Sequence, residues 1–449
     1  MSAEGASASR LVCGGCGAAA AQDDPYPFRC RNSGDGGDHV LRRLLDPAAV
    51  TFPLDDREPN PFVRYRALSH TYHLARAHGM GDDAFVALVR ELDAEVARID
   101  GHGFSATPLV AQPSLAERAG LSGPLWVKDE TGNVAGSHKA RHLFGLLLHL
   151  ETVERLGLVD AVRRPDLAIA SCGNAALAAA VVAAAGRRRL RVFVPPAADP
   201  AVVARLRLLD ADVCVCARRQ GVSGDPTYHA LREAIAGGAL PFTCQGNENG
   251  LATQGGETIG YEMVADLVAA DAQLDDVVVQ VGGGALASAV APAFTEAVAL
   301  GVLPGVPRLH TVQTEGAWPP KRAYDLVVER LPEGAGPAEV AGVLRDAARR
   351  RAEFMWSWES EPRSIAHGIL DDETYDWLAV VKAMLASGGR PVVVGEEALV
   401  RANVLARETT GIPVDPTGSA GLAGLLELRQ LEVVAADARV AVLFTGTVR

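Results

Sequence analysis

From residue 105 onward the chain alternates two textures. Short runs of β-branched and other apolar residues are followed by longer stretches rich in alanine and leucine. The short runs are LWVKD (125–129), LAIAS (167–171), LRVFVP (190–195), DVCVC (212–216), DVVVQVG (276–282), RLHTVQ (308–313), PVVVG (391–395) and RVAVLF (439–444). Strands covered on both faces need no polar alternation, so these runs predict a buried, mostly parallel sheet. The longer stretches suit crossover helices, and the alternation predicts an α/β protein. ALAAAVVAAAG (176–186) is too short to span a bilayer and predicts a tightly packed buried helix. Upstream, YRALSHTYHLARAHG (65–79) and DAFVALVRELDAEVARIDG (83–101) carry helical periodicity behind a proline-rich connector. Residues 1–10 are small and polar and predict disorder. The Gly/Pro-rich, then arginine-rich stretch 332–352 predicts a surface excursion.

Composition narrows the class. The chain has 449 residues, too many for one small core, so two domains and an appendage are expected. A net charge of −12 argues against a general nucleic-acid or membrane-surface binder. No basic segment followed by an apolar core marks a signal peptide. The seven cysteines do not form a disulfide framework for a chain this size, which fits a cytoplasmic, reducing home.

One basic residue stands out. Of 43 lysines and arginines only Lys128, Lys139, Lys321 and Lys382 are lysines. A chain that uses arginine almost everywhere keeps lysine where a neutral amine is useful, since arginine never gives up its proton. Lys139 lies in NVAGSHKARHLF (133–144), with Ser137 placed as an N-cap for the apolar run that follows. A helix N-terminus disfavours an ammonium and favours a nucleophilic amine.

Three strand ends carry further chemistry. In DVVVQVGGGALASAV (276–290) a strand runs through three glycines into a helix, a backbone cradle suited to a phosphate. It has neither the GxGxxG nor the P-loop spacing, so a nicotinamide dehydrogenase is disfavoured. In LAIASCGNAALAAAVVAAAG (167–186), Ser171, Gly173 and Asn174 lie at a strand's carboxyl end, where open α/β sheets bind ligands. In RVAVLFTGTVR (439–449) the last strand ends at Thr445, a neutral hydroxyl able to meet a ring nitrogen. Lysine nucleophile, phosphate cradle and ring-nitrogen partner are the needs of pyridoxal 5'-phosphate (PLP).

The order of these motifs resembles the fold-type II PLP enzymes, the tryptophan synthase β-like superfamily, over about residues 105–449. KDETGNVAGSHKAR resembles that family's lysine segment, which implies Lys139 as the Schiff-base lysine. SCGN resembles its "SxGN" loop, implying Asn174 on the cofactor's phenolic oxygen, with Ser171, Gly173 and Ser137 near the substrate. VGGGALAS resembles its glycine loop, implying Gly282, Gly283, Gly284 and Ala285 on the phosphate, and FTG implies Thr445 at the pyridine nitrogen. NGLATQGGETIGYEM (249–263) and DPTGSAGLAGLL (415–426) are similar to two further family segments. The resemblance implies a small domain at about 136–250, inserted into a large one of 105–135 and 251–449. It also implies a homodimer acting on a small amino acid.

Threonine synthase is the nearest pattern, because some members carry an N-terminal "CxxCG…C" ribbon. Here SHKAR stands for "SFKDR", Ala175 replaces the threonine of "SxGNT", and the glycine loop is one residue shorter. The expected reaction is a β/γ-elimination or replacement. A serine/threonine ammonia-lyase is the alternative, and a non-catalytic PLP-binding relative a further one.

Residues 1–45 form a separate unit ahead of a helical connector, 46–104. Cys13 and Cys16, each followed by glycine, read as a zinc knuckle. Cys30 is the natural third ligand and His39 the first choice for the fourth, ahead of Asp38 or Asp35. Structural zinc is expected there; catalytic zinc is not.

Overall fold

The computed structural model describes residues 8–218 and 224–449. The N-terminal unit is an antiparallel pair, β1 (Ser9–Cys13) and β2 (Leu41–Leu45), with Cys13 opposite Leu41. Ser9 and Arg10, expected to be disordered, therefore lie in a strand, because the apolar side chains of SRLVC pair with LRRLL. Residues 1–7 lie outside the described residues.

The edge strand β3 (Leu109–Ala111) pairs antiparallel with β4 (Leu125–Asp129). Then come β5 (Leu167–Ala170), β6 (Leu190–Val194), β7 (Asp212–Val215) and β8 (Leu240–Pro241), a parallel four-stranded sheet ordered β7-β6-β5-β8. The remaining strands are β9 (Asp276–Gln280), β10 (Arg308–Thr314), β11 (Pro391–Val394) and β12 (Val440–Phe444). They join β4 and β3 in a six-stranded sheet ordered β11-β10-β9-β12-β4-β3, parallel except at β3. All eight expected strands are present, to within a residue or two at their ends. The central pair β9 and β12 is buried along its whole length, which is why those runs show no polar alternation.

The connector is structural cover. The helix Asp82–Asp100 buries Phe85, Leu88, Val89, Leu92 and Val96 in one core with Leu143, Phe144 and Leu147. The alanine-rich helix Asn174–Ala185 joins that core, and small side chains let its neighbours close in. Residues 332–352 are not an excursion. The helix Pro337–Arg349 buries Leu344, Ala347 and Ala348, an apolar stripe hidden in the sequence by its arginines.

A fully buried ion cluster fixes the helix that begins at Lys139. Arg141 reaches Glu130 through Nε at 2.8 Å and Glu262 through Nη1 at 2.6 Å. Lys128 Nζ donates to Glu262 Oε2 at 2.6 Å and to Thr107 O at 2.6 Å. Lys128, Glu130 and Arg141 have no exposed surface. Burial alone would raise the Glu262 carboxyl, but Arg141 and Lys128 outweigh it and hold it down at about 2. The helix Ala252–Ala269, which carries Glu262, lies against Lys139–Arg155 so closely that a Cβ on Gly255 would strike the Arg141 carbonyl. Removing one partner of such a cluster leaves an uncompensated buried charge, which costs roughly 3–5 kcal/mol. Arg141→Met should therefore lower the urea-unfolding midpoint by a correspondingly large amount, whereas Arg401→Met, on an exposed helix pair, should leave it unchanged within error.

Candidate functional site

The segment after β4 is laced to the end of β12. Ser137 bridges Gly446, and His138 N donates to Thr445 O at 3.3 Å. Ala135 at φ 54° and Gly136 at φ +66° make the turn. Ser137 is not the N-cap. It is extended at φ −165°, and His138 occupies the cap with Lys139 the first helical residue. The strand-like bridge to Gly446 explains the one-residue shift. Lys139 is half-buried.

Three buried polar atoms flanking this lysine have no protein partner: Ser137 Oγ, His138 Nε2 and His142 Nε2. Each histidine makes its bond through Nδ1, His138 to Thr445 O at 3.2 Å and His142 to Ala252 O at 2.7 Å. A carbonyl only accepts, so Nδ1 carries the proton and Nε2 presents a lone pair. Burial first, then the Lys139 charge, pushes His142 down to about 3, and the same two causes hold His138 well below the usual range.

The other expected residues converge on this point. A Cβ on Gly446 would lie 2.7 Å from Asn174 Nδ2, so the end of β12 touches the start of the alanine-rich helix. Asn174 is the first residue of that helix, with Gly173 as its cap and Ser171 Oγ accepting from Gly173 N at 3.4 Å. Gly282 and Gly283 follow β9, and Gly284 at φ +98° caps the helix that starts at Ala285. The carboxylate of Asp371 lies against Gly282 and takes a hydrogen bond from Gly283 N–H. Burial pushes its carboxyl up to about 6 against the opposing pull of Lys139. That carboxylate is a stand-in anion: the Gly283 amide of the loop is turned toward negative charge, as a phosphate requires.

Behind the glycine loop stands the segment Thr374–Trp377. Thr374 Oγ1 donates to Gly282 O at 2.6 Å and Asp376 N to Gly283 O at 3.1 Å. Its other side is held by the N-terminal unit. Arg42 pairs with Asp376, and Trp377 Nε1 donates to Asp38 Oδ1 at 2.9 Å.

That unit gathers Cys13, Cys16, Cys30 and His39, whose ligand atoms lie within 4.8 Å of one another. Cys16 Sγ is 3.6 Å from Cys30 Sγ, and His39 Nδ1 is 3.5 Å from Cys13 Sγ. Tetrahedral zinc with Zn–S of about 2.3 Å puts sulfurs about 3.8 Å apart, so the set fits. His39 Nε2 lies 2.8 Å from Asp35 Oδ1, which leaves Nδ1 as the ligand atom. Asp38, weighed as a fourth ligand, instead receives the Trp377 bond.

Sequence reading missed Gln280, Asp371, Asp376 and Arg449. Gln280 was detectable as the polar residue that ends a buried apolar run. The two aspartates sit in LDDETYDW, an acidic run that reads as a solvated loop. Arg449, whose Nη2 donates to Asn174 Oδ1 at 2.8 Å, carried no signal.

A lysine at a helix start, a glycine cradle, an amide and a hydroxyl at strand ends of an α/β fold define a PLP-binding class of site. The family described as "Pyridoxal-phosphate dependent enzyme" matches residues 102–446, and the chain belongs to it. Among curated relatives, a threonine synthase of Methanosarcina acetivorans is 26% identical over 363 residues, 76% of this chain and 74% of that protein. One from Methanocaldococcus jannaschii is 26% identical over 343 residues, with the same two coverages. In fold the chain is similar to maize serine racemase (TM-score 0.57, 18% identity, 81% of this chain and 93% of that one). It is also similar to an Escherichia coli diaminopropionate ammonia lyase (TM-score 0.58, 16% identity, 89% and 93%). Among the described residues no helix is long and apolar enough to cross a membrane.

The neutral His142 gives a pH signature. Its folded pKa is depressed to about 3, so its contribution is fully present above the unfolded value near 6.5. It is lost as pH falls, by about 1.4 kcal/mol per pH unit, until the folded value is reached. The stability difference between wild type and His142→Gln, measured by urea unfolding from pH 7.5 to 5, should shift against wild type with that slope below pH 6.5.

Proposed function

We propose that this chain is a PLP-dependent lyase, threonine synthase-like, that catalyses β/γ-elimination or replacement on a small amino acid. The observation that carries the reading is the convergence of Lys139, Asn174, the glycine loop and Thr445 at the carboxyl ends of β4, β5, β9 and β12. When bound, PLP holds the electron pair released on breaking the substrate Cα–H bond. Lys139 would hold the cofactor, and its Nζ would take the Cα proton. Gly282, Gly283, Gly284 and Ala285 bind the phosphate, Asn174 orients the ring through its phenolic oxygen, and Thr445 meets the ring nitrogen. Ser137, Ser171 and Gly173 line the substrate side. The four-stranded sheet lies in the small domain (136–250) and the six-stranded sheet in the large one. As the resemblance implies, the enzyme works as a homodimer, and its cysteine usage fits the cytoplasm.

The test is reconstitution with PLP, borohydride reduction and mass spectrometry, followed by an absorption titration. The label should fall on the Lys139 peptide, and Lys139→Ala should lose both label and visible band. Label elsewhere, or no uptake of PLP, would refute the assignment. A spectral response to O-phosphohomoserine supports the threonine synthase-like reading. A response to threonine or serine alone makes the enzyme an ammonia-lyase. No response to any amino acid tested would favour a binding relative.

We also infer that Cys13, Cys16, Cys30 and His39 hold a structural zinc ion. Purified protein should contain about one zinc per chain. Cys16→Ser should reduce that content at least tenfold, as read by atomic absorption. A metal-free wild type prepared with zinc in the medium would rule the site out.

A further inference from the structure

Thr445 is held by a residue that no motif announces. Gln280 ends β9, is 4% exposed, and projects its amide between the end of β12 and the residues around Gly418. Its Nε2 lies 2.9 Å from Gly418 O, 3.2 Å from Leu443 O and 2.6 Å from Thr445 Oγ. The two carbonyls fix which end of the amide is nitrogen, because a flipped amide would set oxygen against oxygen. The amide nitrogen has two protons and cannot accept, so Thr445 Oγ, at the shortest of the three contacts, accepts one N–H and the two carbonyls share the other. Gln280 Oε1 is turned away, buried without a partner and packed toward Gly421.

The consequence concerns the hydroxyl proton. With Oγ accepting from Gln280, the Thr445 O–H has no acceptor within hydrogen-bonding distance among the described residues. Thr445 is 2% exposed, so solvent does not readily supply one. A buried donor left unpaired is costly, so the site is built to give that proton to a lone pair. A pyridine nitrogen offers one only when it is unprotonated.

We infer that Gln280 is a positioning residue: it commits the Thr445 hydroxyl to donating and thereby keeps the cofactor's ring nitrogen unprotonated. This rests on the PLP reading of the preceding subsection. It also ties the chemistry to the chain. An uncharged ring draws electrons less strongly, which suits prompt loss of a leaving group over long storage of charge at Cα.

The experiment is nitrogen NMR of the protein reconstituted with PLP labelled with 15N in the ring. Wild type should show a hydrogen-bonded, unprotonated pyridine resonance that does not titrate between pH 6 and 9. In Gln280→Met no N–H occupies the Thr445 lone pair, so the hydroxyl is no longer held to donating and can rotate away from the ring nitrogen, and the resonance should move downfield, toward that of Thr445→Val. The double variant Gln280→Met/Thr445→Val should add nothing to Thr445→Val, because Gln280 acts only through the hydroxyl. A pyridinium resonance in wild type overturns the inference. So does a Gln280→Met protein that binds PLP and keeps the wild-type shift, or a double variant that moves further than Thr445→Val. If Gln280→Met does not fold, Gln280→Glu serves. Its carboxyl accepts from Thr445, and the resonance should again leave the wild-type position. Failure of the wild type to take up PLP would refute the cofactor reading itself, a result distinct from an unmoved resonance.

Discussion

The site depends on a charge cluster that water cannot reach. Lys128 on β4, Arg141 on the helix after it, Glu262 on the neighbouring helix and Glu130 between them join at distances of 2.6–2.8 Å. Two cations and two carboxylates balance, so the desolvation penalty is offset only while all four are present. Their positions matter more than their energy. Lys128 and Glu130 lie at the end of a central strand, and Arg141 is two residues beyond Lys139. The cluster therefore sets where the helix starts and how its first turn faces β12. Glycine at 255 lets the second helix close on the first, and a side chain there would push Glu262 out of reach.

A second constraint acts on the glycine loop. It is pressed from behind by Thr374 and Asp376; Asp376 is paired with Arg42 of the N-terminal unit, and its neighbour Trp377 is bonded to Asp38 there. Asp38 adjoins His39, one of the four residues gathered for a metal. The small cysteine-bearing unit is thus part of the wall behind the loop. Arg43, its neighbour, adds a buried pairing with Glu257 and Glu296 on the large-sheet side. The unit's short strands bury little apolar surface of their own, so docking through charged and aromatic groups supplies what its core lacks.

Much of this was legible in the sequence, for identifiable reasons. Buried strands have a simple signature, and β4 to β6 and β9 to β12 were found by it; β7, a partly exposed edge, was found by its alternating valines and cysteines. Short or edge pieces were missed: β3 has three residues, β8 two, and β1 was hidden in a polar terminus. Lys139, Asn174 and the glycine loop could be picked out as candidates because each is a residue type the proposed chemistry needs, and each does lie at a strand or helix end. Asp371, Asp376 and Arg42 could not. Their roles arise from contacts between segments more than 100 residues apart, and no local spacing encodes them.

The remaining question is why lysine stands at 139 in a chain that otherwise prefers arginine. Its neighbours answer it. The permanent charge that the helix needs is placed at Arg141, where two carboxylates neutralise it. The rings on either side of Lys139, His138 and His142, are buried and held neutral, and each donates its Nδ1 proton to a carbonyl. Asp371 and Asp376 act on the lysine from the glycine-loop side without an ion pair to it. The amine is thus left unbound among neutral rings while the structural charge is carried elsewhere. Arginine at 139 would place a second permanent cation two residues from Arg141. Arg141 carries the ion pairs that hold the helix, so residue 139 is not needed for them.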